Sequence, residues 1–154
     1  MENAFTNVYK HKIWGVAKDS SDVVTHGFGS SGDGSIYEKA KPYVDFLSDF
    51  IKQNNVKSIV DIGCGDWQFS KHLYNENEDI YMKQVDYYGY DCCKQVIEHN
   101  TEKHASENRH FKHINGEQIL DDIESHVDLI VIKDVIQHWS NETIIQFLDK
   151  LSKK

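Results

Sequence analysis

The sequence predicts an α/β fold: a parallel sheet with helices on both faces. Three observations carry this reading. Short β-branched or aromatic runs alternate with helical periodicities from residue 57 onward, and an order β-α-β-α-β-α-β-α requires right-handed crossovers between parallel strands. Residues 127–132 form a nearly continuous apolar run, as a strand buried on both faces must. A glycine-rich turn, Gly63 to Gly65, follows directly on the first strand.

Residues 1–26 are of mixed character, with one apolar cluster at Ile13, Trp14, Gly15 and Val16, and no element is assigned to them. Gly27, Gly29, Gly32 and Gly34 put four glycines in eight positions, which reads as a loop. Ser35 and Glu38 have the spacing of a capping box, and Ile36, Ala40, Tyr43, Val44, Leu47, Phe50 and Ile51 recur at helical spacing to about Gln53. Pro42 either kinks this helix or restarts it.

The first strand is expected at 57–62, stopped by Gly63, and a helix capped by Asp66 is expected to run through Phe69 and Leu73 to about Tyr74. Tyr87 to Tyr90 reads as the second strand, ending at Asp91, with Val96 and Ile97 in the helix after it. Residues 109–114 fit a third strand, and 127–132 a fourth, expected to be central. Ser140 caps a last helix, whose expected apolar face is Ile144, Ile145, Leu148 and Leu151.

Composition narrows the function. The 154 residues carry 17 Lys and Arg against 25 Asp and Glu, a formal charge of −8, with 39% hydrophobic residues. That is enough apolar material for one domain's core. The acidic balance argues against nonspecific nucleic-acid binding, because phosphate-backbone affinity comes from counterions released by Lys and Arg. No apolar run approaches the roughly 20 residues of a membrane span, and the first residues lack the basic and apolar regions of a secretory signal. A cytoplasmic location is expected. Three cysteines, two of them adjacent at Cys92 and Cys93, form neither a disulfide framework nor a thiolate zinc site. His110 and His113 would point to opposite faces of one strand, so no metal site is expected from the histidine-rich stretch.

Chemistry in a parallel sheet gathers where strands end and helices begin. At the first such exit, Gly63 and Gly65 let the backbone approach a ligand closely. A dinucleotide fingerprint wants a third glycine three positions later, where this chain has Gln68, and that disfavours a nucleotide-dependent oxidoreductase.

Asp61, Gly63 and Gly65 on a first strand, with Asp91 ending the second, resemble the motifs of class I S-adenosylmethionine-dependent methyltransferases. The glycine-rich run from Gly29 to Ser35, the segment from Asp61 to Gln68 and that from Ile132 to Trp139 are together similar to a small bacterial-type branch, over residues 27–151. The resemblance implies a Rossmann-like sheet in strand order 3-2-1-4, of which only the cofactor-binding half is present. It divides the chain into an N-terminal segment with its glycine loop, 1–34, and a cofactor-binding domain, 35–154.

Residue by residue, the resemblance implies that Asp61 orients the methionine ammonium. Gly63, Cys64 and Gly65 pass beneath the methionine and ribose, and Asp91 accepts from the two ribose hydroxyls. Cys92 packs on the adenine, Glu117 lies near its amino group, and Lys133 joins the cofactor contacts. The glycine loop before the first helix is expected to cover the cofactor. At the fourth strand's exit His138 would act as a base, with Asp134 orienting the acceptor or the imidazole. Both also have plain readings, Asp134 as a turn cap and His138 as a packing residue beside Trp139. The expected acceptor is a small or saccharide-like molecule methylated on oxygen. A noncatalytic cofactor- or partner-binding module is the alternative, because the chain stops short of the three further strands the resemblance implies. That shortness would expose the fourth strand's apolar edge, for which a homodimer or a longer natural chain is the expected cover.

Overall fold

The structure is a computed structural model describing residues 2–15, 30–74, 80–114, 121, 123 and 127–153. Four strands, β1 (Ser58–Ile62), β2 (Asp86–Asp91), β3 (Arg109–His113) and β4 (Leu129–Val131), form one sheet in the order β3-β2-β1-β4. Every pairing is parallel, with Asp61 opposite Gly89 on one side and Val131 on the other. The helices are α1 (Glu2–Lys10), α2 (Tyr37–Gln53), α3 (Lys94–His104) and α4 (Asn141–Leu151). This is the Rossmann-like architecture and strand order that the motifs imply.

Period-two alternation along β1 divides the core between the two faces of the sheet. Ile59 belongs to a cluster with Ala40, Val44, Leu47 and Ile51 of α2 and with Trp67, Tyr87 and Val131. Val60 and Ile62 belong to the opposite cluster, with Tyr90, Trp139 and Phe147 of α4. Asp61 therefore faces the α2 side, where it meets Tyr87.

Several sequence expectations change. No α-helix starts at Asp66: turns lead into a short 3-10 helix, Ser70–Tyr74. The Asp66 carboxylate, needed for the cap, accepts instead from the backbone N–H of Ser31 (3.0 Å) and from the Gln68 amide. The capping box also fails, because Ser35 closes a 3-10 turn (Asp33–Ser35) and Ile36 is the N-cap of α2, which runs on through Pro42. Strand β4 is three residues long and sits at the sheet's end rather than its centre. Its entry is tied to β1 by the Asp128 carboxylate, which accepts from the backbone N–H of Lys57 (2.7 Å) and Ser58 (3.0 Å). These bonds hold the Asp128 pKa below the usual carboxylate range.

Ser140 caps α4 as its sequence indicates, accepting from the Thr143 N–H at 3.1 Å. The buried face of α4 is Phe147 with Ile144 and Leu151 packed beside it, whereas Ile145 and Leu148 are 67% and 49% exposed. The expected face was rotated by about one position. Among the described residues no helix is long and apolar enough to cross a membrane.

Candidate active site

The exits of β1, β2 and β4 converge on one cleft. At the first, Gly63 and Gly65 have φ of +75° and +54°, values at which a side chain is strained. Their surroundings exclude one as well. A Cβ on Gly63 would lie 2.4 Å from Val135 Cγ2, and one on Gly65 would lie 2.3 Å from Ser31 Oγ. The loop is pinned by backbone, since the N–H groups of Gly63 and Cys64 both donate to the Tyr90 carbonyl (2.7 and 3.0 Å). From α3, the Asn100 amide donates to the Gly65 carbonyl at 2.8 Å.

Asp91, ending β2, closes this arrangement. Its carboxylate accepts from the Gly65 N–H (3.0 Å) and the Cys93 N–H (2.8 Å). Burial pushes its pKa up while those amides pull it down, and burial wins. A carboxylate has about four acceptor positions, so two amides leave it able to accept from a ligand.

The opposite wall comes from the exit of β4. Lys133 Nζ donates to the Gly34 carbonyl (3.2 Å), pairs with the Asp134 carboxylate and lies over the Phe69 ring (5.1 Å). Asp134 has φ of +58°, a left-handed conformation that Asp tolerates better than most residues. His138, at the end of the 3-10 turn Ile136–His138, has its ring 5.4 Å from Phe5 and 5.7 Å from Trp14. Its Nε2 lies 3.4 Å from the Gln137 amide nitrogen.

The third wall belongs to the N-terminal segment, to which the sequence reading assigned no element. Helix α1 packs Tyr9, 3% exposed, against Cys93 and Val96 at the start of α3. The Tyr9 hydroxyl and Ser31 Oγ share a 2.7 Å hydrogen bond. Ser31 and Asp66 are joined twice, by the Ser31 N–H to Asp66 Oδ2 and by the Asp66 N–H to Ser31 Oγ (2.9 Å). Residues 30–35 are thereby latched directly onto the glycine loop.

Of the residues singled out in the sequence, Gly63, Cys64, Gly65, Asp91, Cys92, Lys133, Asp134 and His138 line this cleft. Burial pushes the Cys92 thiol up to about 12, which makes it a packing group rather than a nucleophile. Asp61 is buried directly behind the cleft and is not among the residues that line it. Its carboxylate accepts from the hydroxyls of Tyr87 (2.7 Å) and Ser70 (3.4 Å), and burial raises its pKa to about 6. Asp134 and His138 are not hydrogen-bonded to one another: Asp134 is engaged by Lys133 and His138 meets Gln137 and the aromatic rings. Glu117 lies outside the described residues, as do Gly27 and Gly29 of the expected cover.

Phe5, Tyr9 and Trp14 line the cleft without having been assigned to it, and Ser31 and Trp139 line it from the glycine loop and the fourth-strand exit. The i, i+3, i+4 spacing of Phe5, Val8 and Tyr9 was the available signal for α1. Among the described residues no group of three His, Cys, Asp or Glu side chains is placed to hold a metal ion.

An open α/β sheet with a glycine turn and an acid at adjacent strand exits defines a nucleoside-binding class of site. A family sequence profile described as a methyltransferase domain matches residues 60–154, and the chain belongs to that family. No curated protein matches it. Among solved structures, it is similar to magnesium protoporphyrin IX methyltransferase (ChlM) from Synechocystis PCC 6803 with bound SAM, at 15% identity and a TM-score of 0.59, over 99% of this chain and 70% of that one. A putative sarcosine dimethylglycine methyltransferase from Galdieria sulphuraria is 16% identical with a TM-score of 0.53, over 74% of this chain and 44% of that one. WbdD is also 16% identical, with a TM-score of 0.57, over 74% of this chain and 27% of that one. These likenesses show the fold alone, and the chain spans less than half the length of the last two.

Proposed function

We propose that the cleft binds S-adenosylmethionine and that the protein transfers its methyl group to an oxygen of a small-molecule or saccharide-like acceptor. The observation that carries this is Asp91, a carboxylate locked by Gly65 and Cys93 amides at the rim of a glycine turn. The donor set fits the cofactor: a ribose diol needs a fixed acceptor pair, which Asp91 offers. A methionine backbone lying on Gly63 to Gly65 needs a floor without side chains, which the two glycines supply. When bound, the cofactor supplies a methyl group activated by a sulfonium.

The chain's own part is to bind and to orient. Asp91 holds the ribose, and Cys92 packs beside the adenine. Lys133 provides a cation at the methionine end, while Asp61 acts from beneath by tying β1 to Tyr87 and Ser70. His138 receives the acceptor's proton, an imidazole being suited to that task near neutral pH. Holding the acceptor oxygen in line with the methyl accounts for most of the rate gain in such a displacement.

Parallel titrations with S-adenosylhomocysteine and NAD test the cofactor, with binding expected for the first only. Turnover of a labelled methyl group tests the transfer, and His138→Ala is expected to lower kcat by roughly 10²-fold, the lower range for general-base removal. Salt-sensitive methylation of RNA or DNA in place of small acceptors would overturn the acceptor class.

One observation favours a second reading. Among the described residues no strand pairs with the outer edge of β4, and the exposed Ile145 and Leu148 lie on the helix that follows it. A cofactor-binding module whose edge is covered by a second copy fits that arrangement. S-adenosylhomocysteine binding by a dimer without turnover of any acceptor is its signature.

A further inference from the structure

We infer that the acceptor is a planar ring bearing a phenol-type hydroxyl, seated on an aromatic wall that Phe5 and Trp14 of the N-terminal segment build beside His138. The inference rests on the methyl-transfer reading and narrows its substrate. It starts from the contacts among three rings. Phe5 and Trp14 are 5.8 Å apart at 63°, Phe5 and His138 are 5.4 Å apart at 85°, and Trp14 and His138 are 5.7 Å apart at 33°. Admitting another ring between two of these needs about 7 Å, twice the carbon contact distance. The acceptor therefore lies over the patch rather than within it, with the imidazole at its margin.

The polar groups at this end of the cleft favour a ring with few hydroxyls over a sugar. A bound saccharide brings several hydroxyls out of water, and each needs a partner. Phe5, Trp14, Val135 and Trp139 present carbon apart from the two indole N–H groups, Tyr9 and Ser31 are hydrogen-bonded to each other (2.7 Å), and Lys133 is paired with Asp134. Among the described lining residues at this end, that leaves the Ser35 hydroxyl and the His138 imidazole, beside the indoles, as the neutral oxygen or nitrogen side chains outside such pairs. A ring with one hydroxyl asks for no more than these provide. The paired charges also favour an uncharged ring over a carboxylate or an ammonium.

The proton transfer points the same way. Among the described residues no carboxylate is hydrogen-bonded to His138, whose contacts are Gln137 and the Phe5 and Trp14 rings. A phenol is far more acidic than an aliphatic alcohol. Its proton therefore passes to a neighbouring imidazole more readily than a sugar hydroxyl's does. In the step, the acceptor's O–H proton passes to His138 as the oxygen–carbon bond forms. The carbon–sulfur bond breaks with its electron pair left on sulfur, giving S-adenosylhomocysteine and the methyl ether.

The test uses the full chain, 2-naphthol as a fluorescent planar phenol and methyl glucoside as the saccharide. In the presence of S-adenosylhomocysteine, 2-naphthol is expected to bind saturably and methyl glucoside not to bind. With labelled S-adenosylmethionine, 2-naphthol becomes the methyl ether. Trp14→Ala should weaken 2-naphthol binding at least tenfold with less than a twofold change in S-adenosylhomocysteine affinity, and Trp14→Phe should recover most of the loss. Phe5→Ala should have a smaller effect in the same sense. Absence of saturable 2-naphthol binding to a chain that binds S-adenosylhomocysteine would overturn the ring acceptor and leave the cofactor reading standing. So would turnover of the glucoside alone, or an unchanged 2-naphthol affinity in folded Trp14→Ala. Failure of S-adenosylhomocysteine itself to bind would overturn both.

Discussion

The two sides of the cleft are built by different means. The strand-exit side, from Gly63 to Gly65 and on to Asp91, is fixed by backbone: two N–H groups on the Tyr90 carbonyl, two on the Asp91 carboxylate, and positive φ at both glycines. The N-terminal side is held by side chains reaching across 22 and 35 residues, Tyr9 to Ser31 and Ser31 to Asp66. A site whose shape is set by backbone at strand ends can be read from short local motifs. One assembled by distant side chains cannot.

The comparison is broken most severely at the glycines. Gly65→Val should abolish S-adenosylhomocysteine binding and also lower stability by ~3 kcal/mol or more, because it combines left-handed strain with overpacking. The stability loss arises because the added carbons meet Ser31 there, as they would meet Val135 at Gly63, rather than ligand space alone. Urea denaturation measures it. A variant that binds and unfolds like the parent would show that the loop tolerates a side chain after all.

Asp61 sharpens the contrast between a motif residue and a cleft residue. Its pKa is raised in the fold to about 6, above an unfolded value near 3.9, so its protonated form is favoured by folding and its contribution is fully present only below the unfolded value. Stability is then lost as pH rises from about 4 through 6, by up to roughly 1.4 kcal/mol per pH unit, or ~3 kcal/mol in all. Asp61→Asn should flatten that window relative to the parent in denaturation series at stepped pH. An identical pH slope in the two proteins would contradict the buried placement.

On the N-terminal side, Ser31→Ala removes the acceptor for the Asp66 N–H and the partner of the Tyr9 hydroxyl. A loss of ~1–2 kcal/mol in stability is expected, with S-adenosylhomocysteine leaving several-fold faster in stopped-flow measurements. An unchanged release rate would mean that this wall does not cover the cofactor.

The sequence reading of the fold follows the same division. β1, β2, β3, α3 and the Ser140 cap were legible because alternation, glycine stops and caps are local. The helix expected at Asp66 was not formed, since a residue 35 positions earlier takes its carboxylate and Trp67 adopts φ of +59° while becoming fully buried. Asp61 shows a subtler limit. The motif located it correctly on β1, but gave no sign of the Tyr87 and Ser70 hydroxyls from which its carboxylate accepts. Trp14 was visible as an apolar cluster, yet nothing adjacent in sequence indicates that it meets His138 more than a hundred residues away.

The central claim is that Asp91 is the acid around which the cofactor site is organised. Calorimetric titration of S-adenosylhomocysteine into the parent and Asp91→Ala tests it most directly. The parent should bind and the variant should lose ~1.5–3 kcal/mol, the scale of charge-assisted hydrogen bonds to a diol. Equal affinity in a folded Asp91→Ala would contradict the account.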